Sequence, residues 1–185
     1  TATTSDDTTN PNAGAGAGTN ITTASITENG ITISWNKADD DQSPQASLTY
    51  QTYYSTSTMG STVAGVEAET PFGTPGNDTN TQNVTGLNYN TTYYFNVVVT
   101  DLAGNKSLYT EVTAITSDDT TNPNAGAGAG TNITTASITE NGLTISWNKA
   151  DDDQSPQASL TYQTYYSTST MGSTLASVEA QTSFG

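Results

Sequence analysis

The chain repeats itself at an offset of 112 positions: Ser5–Gly73 reappears as Ser117–Gly185. Of those 69 aligned positions only five differ: Ile31/Leu143, Val63/Leu175, Gly65/Ser177, Glu69/Gln181 and Pro71/Ser183. Whatever fold the first copy enters, the second carries nearly the same instructions. A period of this length is that of a whole domain, not of a solenoid built from units of roughly 20–50 residues. Its phase divides the chain. Residues 1–4 align with 113–116, so the expected organisation is the tail of a preceding repeat at 1–4, a complete unit at 5–116, and the N-terminal part of a second, near-identical unit at 117–185. The counterpart of Thr74–Thr116 is missing from the second copy. Two readings stand: a window on a longer array, or a second unit completed by another chain.

Within the unit, apolar residues recur with period two, the signature of half-buried strands. "ITISW" puts Ile31, Ile33 and Trp35 on one face, and "TYYFNVVVT" does the same with Tyr93, Phe95, Val97 and Val99. Further strands are predicted at Ile21–Ile26, Leu48–Ser55, Asn80–Leu87 and Ser107–Thr116. Asn29-Gly30 suits a type I′ hairpin turn, because both residues accept positive φ. Ser61–Glu69 lacks alternation, and Ser61 as an N-cap predicts a short helical turn there. About seven short strands separated by turn signals predict a β-sandwich.

Composition narrows the function. The chain carries 18 acidic residues against three lysines, a formal charge of −15, and has no Cys and no His. A polyanion repels nucleic acid, whose affinity rests on basic residues neutralising phosphates. It equally repels an anionic membrane surface, and no run of about 18 apolar residues supports direct membrane insertion. Cations are the natural small partners. Without Cys or His there are no thiolate sites, no disulfides and no imidazole general base. The expectation is a protein that is not an enzyme. Richness in Thr, Ser, Asn and Gly with few Lys points to an extracellular or cell-surface setting.

Three stretches resemble the fibronectin type III family: "ITISW"/"LTISW" with its strand-B Trp, Tyr50 on strand C, and "LNYNTTYYFNVVV", where Tyr93 follows Leu87 by six residues as in that family's tyrosine corner. "VTDLAGNKS" and "DDTTNPNAGAGAG" resemble the F–G loops and linkers of tandem repeats in bacterial surface and secreted proteins. The resemblance covers nearly the whole 112-residue unit, apart from Ser55–Thr79, which is longer than the family's usual connection. It implies an all-β fold of tandem fibronectin type III-like (immunoglobulin-like) β-sandwiches, the second copy incomplete. No Arg-Gly-Asp occurs, so integrin-type adhesion does not carry over.

In such a sandwich the B–C and F–G loops share the pole where strand A enters. The resemblance therefore brings Asp39, Asp40 and Asp41 of the B–C loop toward Asp101 and Asn105 of the F–G loop and toward Asp6 and Asp7 of the leader. Ca2+ takes six to eight oxygen ligands from flexible loops, and a hard dication removes the repulsion within such a cluster. The spacing is not that of an EF-hand. The competing reading is a solvated acidic loop. In the second copy the candidates are Asp118, Asp119, Asp151 and Asp153. Its F–G loop falls beyond Gly185, so the first copy is expected to hold the ion and the second weakly or not at all.

Strands C and F are neighbours in this fold. Tyr53, Tyr94 and Val98 are therefore candidates for an exposed patch that stacks on glycan or touches another chain, against the simpler reading of cross-strand packing. "AGAGAG" (Ala13–Gly18) reads as a linker or thin edge, not a phosphate loop. Glycosylation sequons stand at Asn20, Asn77, Asn83, Asn90, Asn105 and Asn132. The expected function is a non-catalytic structural or spacer repeat of a long extracellular protein, an adhesin stalk or filament, stiffened by Ca2+ at its joints. Its partners would be neighbouring repeats, other copies or glycan. The alternative is a carbohydrate-binding or spacer module of a secreted polysaccharide-degrading enzyme.

Overall fold

The computed structural model describes residues 6–13, 21–125 and 133–184. The chain divides into two compact units, at Asp119 and Thr120. The first contains β1 (Thr22–Ala24), β2 (Gly30–Ser34), β3 (Thr49–Ser55), α1 (Val63–Glu67), β4 (Thr70–Asn77), β5 (Thr81–Thr85), β6 (Thr92–Thr100), β7 (Lys106–Leu108) and β8 (Val112–Ile115). Every pairing is antiparallel. One sheet has the order β1-β2-β5. The other runs β4-β3-β6, and β7 and β8 pair in succession with the far edge of β6. This is a fibronectin type III-like sandwich.

The alternating residues of β2 and β6 meet between the sheets. Ile31, Ile33 and Trp35 pack with Tyr50, Phe95, Val97, Val99 and Tyr109 in one buried cluster. Full burial of each large apolar side chain stabilises by about 1.5–3 kcal/mol, so this seam holds the unit together. The Trp35 indole lies 6.0 Å from the Tyr50 ring and 6.5 Å from the Tyr109 ring, in tilted and edge-on contacts. Behind it, Tyr93 closes the corner: its hydroxyl accepts a hydrogen bond from the Asn88 amide at 3.0 Å, beside buried Leu87. The outer strands β1 and β4 are sheet edges. Pro71 and Pro75 are tolerated in β4 for that reason, since a proline there forfeits no ladder bond a neighbour needs.

Three local expectations change. The β1–β2 link spans Ser25–Asn29 and is not a tight Asn-Gly turn; the positive φ falls on Ser25, at 46°. Local bonds decide this: the Thr27 amide and hydroxyl donate to the Gly30 carbonyl at 2.9 and 3.1 Å, and in the second copy the Thr139 amide and hydroxyl donate to the Gly142 carbonyl at 2.8 and 3.1 Å, with the positive φ again on the serine, Ser137, at 49°. In the first unit the Thr27 carbonyl also accepts from the Ser117 amide at 3.0 Å, and the Asn29 carbonyl from the Leu87 amide at 3.0 Å. The helical turn forms as expected, but Thr62 caps it instead of Ser61, its side chain accepting from the Gly65 amide at 3.1 Å. The final strand is split into β7 and β8 around buried Tyr109.

The second unit contains β9 (Thr134–Ala136), β10 (Thr144–Ser146), β11 (Thr164–Tyr166), α2 (Leu175–Glu179) and β12 (Thr182–Phe184). They form two separate ladders, β9 with β10 and β11 with β12. Local features of the first copy recur. The Ala150 amide donates to the Tyr162 hydroxyl at 2.8 Å, as Ala38 does to Tyr50 at 2.9 Å. Yet β11 keeps three residues where β3 has seven, and β10 three where β2 has five. The strands shorten where their partners are lacking.

Candidate metal centre

Three loops of the first unit meet at one pole. The leader bridges the β2–β3 loop through paired backbone bonds between Asn12 and Asp39, at 2.7 and 3.3 Å. The β6–β7 loop joins both. Asn105 donates its side-chain amide to the Asp7 carbonyl at 3.2 Å, and the Leu102 amide donates to the Ser43 hydroxyl at 3.2 Å. These bonds carry Asp7, Asp40 and Asp101 together, and one carboxylate oxygen of each lies within 4.8 Å of the others.

Each carboxylate is oriented from behind. Asp101, 7% exposed, accepts from the Asn105 backbone amide and from its side-chain amide, both at 2.8 Å. Asp40 Oδ2 accepts from the amides of Gln42 at 3.1 Å and Ser43 at 2.7 Å. Asp7 accepts from the Thr9 amide at 3.0 Å. Asp40 Oδ1 is buried and has no hydrogen-bond partner among the described residues. A buried acceptor left unmade is costly, more so on a charged group.

Among the described residues of the first unit, no cation pairs with this cluster. The lysines of the first unit are Lys37 and Lys106. Lys37 pairs with Asp78 at 2.7 Å and Lys106 with Glu67 at 2.6 Å. Three converging carboxylates, one with an orphaned buried oxygen, form a donor set suited to a hard dication.

The structure sorts the sequence candidates. Asp7, Asp40 and Asp101 converge. Asn105 acts through its amide as the brace between Asp101 and the leader. Asp39 contributes its backbone to the bridge, Asp41 accepts from the Thr9 hydroxyl at 3.4 Å, and Asp6 is exposed. In the second unit the residue equivalent to Asp40 is Asp152, whose carboxylate accepts from the amides of Gln154 and Ser155 at 3.1 and 2.6 Å. The repeat offset by itself points to Asp152. Asp151 repeats the backbone bridge, to Asn124, and Asp153 accepts from Thr121 at 3.5 Å. Asp118 and Asp119 fall at the end of the first unit.

The aromatic patch is not an exposed surface. Val98 is buried under Met59 and Val66, with Tyr53, Tyr94, Val63 and Leu108 around them. The segment between β3 and β4, unmatched in the family pattern, folds back as a cover over the outer face of β3 and β6. Burial raises the Tyr53 hydroxyl above the usual tyrosine range, and the Glu67 charge adds to the rise. Sequence reasoning missed this second core; its signal was the unbroken run Val97–Val99, apolar on both faces of one strand. Among the sequons, Asn77, Asn83 and Asn90 are exposed, whereas the Asn105 amide is engaged with Asp7 and Asp101. Asn20, Asn132 and most of "AGAGAG" lie outside the described residues.

The fold and its loop pole define the class: a fibronectin type III-like β-sandwich with an acidic end. No family model matches the chain. Among curated proteins it is similar to Exoglucanase B of Cellulomonas fimi, 27% identical over 155 residues, which are 83% of this chain and 13% of that protein. The chain thus spans a small part of that relative's length. Similar solved structures include the FN1–FN3 domains of chicken CNTN1, at TM-score 0.41 and 18% identity, covering 60% of this chain and 33% of that one. Another is the sixth fibronectin type III domain of human fibronectin type III domain containing protein 3, at TM-score 0.40 and 12% identity, covering 66% and 95%.

Proposed function

We propose that this chain is a non-catalytic spacer of a longer extracellular protein, and that Ca2+ bound by Asp7, Asp40 and Asp101 locks the leader of the complete unit to its sandwich. The observation that carries the reading is the buried, unpartnered Asp40 Oδ1 inside a carboxylate trio that no lysine balances. The ion would tie the residues just before β1 to two loops that otherwise repel them. A leader fixed in this way transmits orientation along an array; a free one behaves as a flexible linker.

Calorimetry of the chain in Ca2+ and in EDTA tests this. Ligand at about 100 times its Kd contributes about 2.7 kcal/mol. The main melting transition should then rise by on the order of 10 °C. Asp40→Asn should abolish the response and Asp41→Asn should keep it. Identical transitions in Ca2+ and EDTA would end the metal reading.

The setting has two candidates. An adhesin stalk or filament needs only the spacer. The likeness to Exoglucanase B favours a spacer in a polysaccharide-degrading enzyme. In both, the domain separates other parts, and the outer face of β3 and β6 is taken up by its own cover, which buries Val98 and half-buries Tyr53 and Tyr94. A glycan array probed with this chain should be blank, and specific binding would overturn the spacer assignment.

A further inference from the structure

The far edge of β6 is broken in its middle. β7 ends with Leu108 opposite Val98, and β8 begins with Val112 opposite Phe95. Residues 109–111 therefore face only Asn96 and Val97. A bulge of this kind re-aims side chains at a sheet edge. Here it borders a cleft of about 570 Å³ in the first unit, between the leader, the cover and the β7–β8 link. Pro11, Ser61, Ser107, Leu108 and Glu111 line it together with Asn96.

Asn96 is 1% exposed, and its Nδ2 has no hydrogen-bond partner among the described residues. Turning the side-chain amide over does not cure this. Its Oδ1 already accepts from the Val97 amide at 2.8 Å, and a flip would set donor against donor. The fold thus keeps a buried donor unmade, which is costly unless something else serves it. Glu111 is held in place as well, since its Oε2 accepts from the Met59 amide at 2.8 Å.

We infer that this cleft binds an uncharged peptide segment through one backbone amide, whose carbonyl accepts from Asn96 Nδ2 and whose N–H donates to Glu111. The lining has one carboxylate and no basic residue, which turns away phosphates and carboxylates. A cation cannot serve a donor. A sugar finds no ring to stack on, because Tyr109, the aromatic residue of the lining, is 1% exposed and packs on Trp35 at 6.5 Å. A peptide amide brings one acceptor and one donor, the pair that Asn96 and Glu111 require. The volume falls among small-ligand sites, roughly 300–1,000 Å³. None of the three converging aspartates lines the cleft, so the inference stands apart from the cation reading.

The test is an NMR titration of the isotope-labelled full chain with the blocked tripeptide acetyl-Ala-Gly-Ala-amide. The Asn96 side-chain amide signals and the backbone signals of residues 107–111 should move and saturate with a Kd of about 1 mM or tighter. Thr110→Trp, at an exposed position of the lining, should fill the cleft and weaken binding at least about 10-fold, with the melting temperature unchanged. Glu111→Gln leaves one oxygen for the Met59 amide and turns the other into a donor, so it should weaken binding about 10-fold too. Three results would overturn the inference: Asn96 signals that stay still, equal binding by the Thr110→Trp chain, or a tighter response to cellobiose than to the peptide.

Discussion

Tyr50 and Tyr109 show how a single polar atom is fixed inside an apolar seam. The Tyr50 hydroxyl accepts from the Ala38 amide at 2.9 Å, and the Tyr109 hydroxyl donates to the Asn36 carbonyl. Both hydroxyls are raised above the usual tyrosine range, by burial first, with the Asp39 charge contributing to each. A raised acid is held in its protonated, neutral form by the fold. The stabilisation is complete below the unfolded value of about 10 and is lost as pH rises through that value toward the folded one. The melting temperature should therefore be level up to about pH 9.5 and fall above about pH 10. Tyr109→Phe should be less stable at neutral pH, through loss of the bond to Asn36, and should show a shallower alkaline fall. Equal alkaline slopes for the two proteins would refute the assignment. The sequence marked Tyr50 as the strand-C residue of the family resemblance, but not Tyr109, because a lone tyrosine in a broken final strand has no periodic neighbours.

At the scale of elements, β6 was the most legible and β4 the least, since Thr70–Asn77 holds two prolines and two glycines and no strand was predicted there. The bounds of β6 match the prediction because eight of its nine residues are β-branched or aromatic, which leaves little competition. The segment before β4 could be read as a helical turn, but a five-residue helix announces no docking site. Its place comes from Met59 and Val66 meeting Val98, which lies 39 and 32 residues further along the chain. The Met59 amide, donating to the Glu111 carboxylate at 2.8 Å, pins it further. Val66→Ala should cost about 1–3 kcal/mol, the loss of two buried methyl groups plus the cavity left behind. Chemical denaturation would measure it. A cost below about 0.5 kcal/mol would mean that the cover contributes nothing to the core.

For the molecule as a whole, near-identical sequences with different neighbours should respond differently to one substitution. Trp35→Ala removes an indole packed between Tyr50 and Tyr109 and should cost about 3–5 kcal/mol, lowering the main transition by more than about 10 °C. Trp147→Ala removes an indole in contact with Tyr162 but open to solvent, and should leave that transition within about 2 °C. Scanning calorimetry of the two variants gives the answer, and comparable losses would show that the second unit buries its tryptophan.

By itself the sequence determined the repeat and its phase and the period-two strands, which are self-comparisons and local patterns that burial of one apolar face enforces; the Leu87–Tyr93 corner and the meeting of three acidic loops at one pole were what the family resemblance implied. Only the tertiary structure decided which aspartates meet, and that Val98 lies beneath a cover with Tyr53 and Tyr94 half-buried at its sides. Those outcomes depend on contacts between residues distant in sequence, where distance and burial, not residue type, select the partner. The second copy makes the same point: Trp147 is 41% exposed where Trp35 is 5%, because no strand faces it among the described residues.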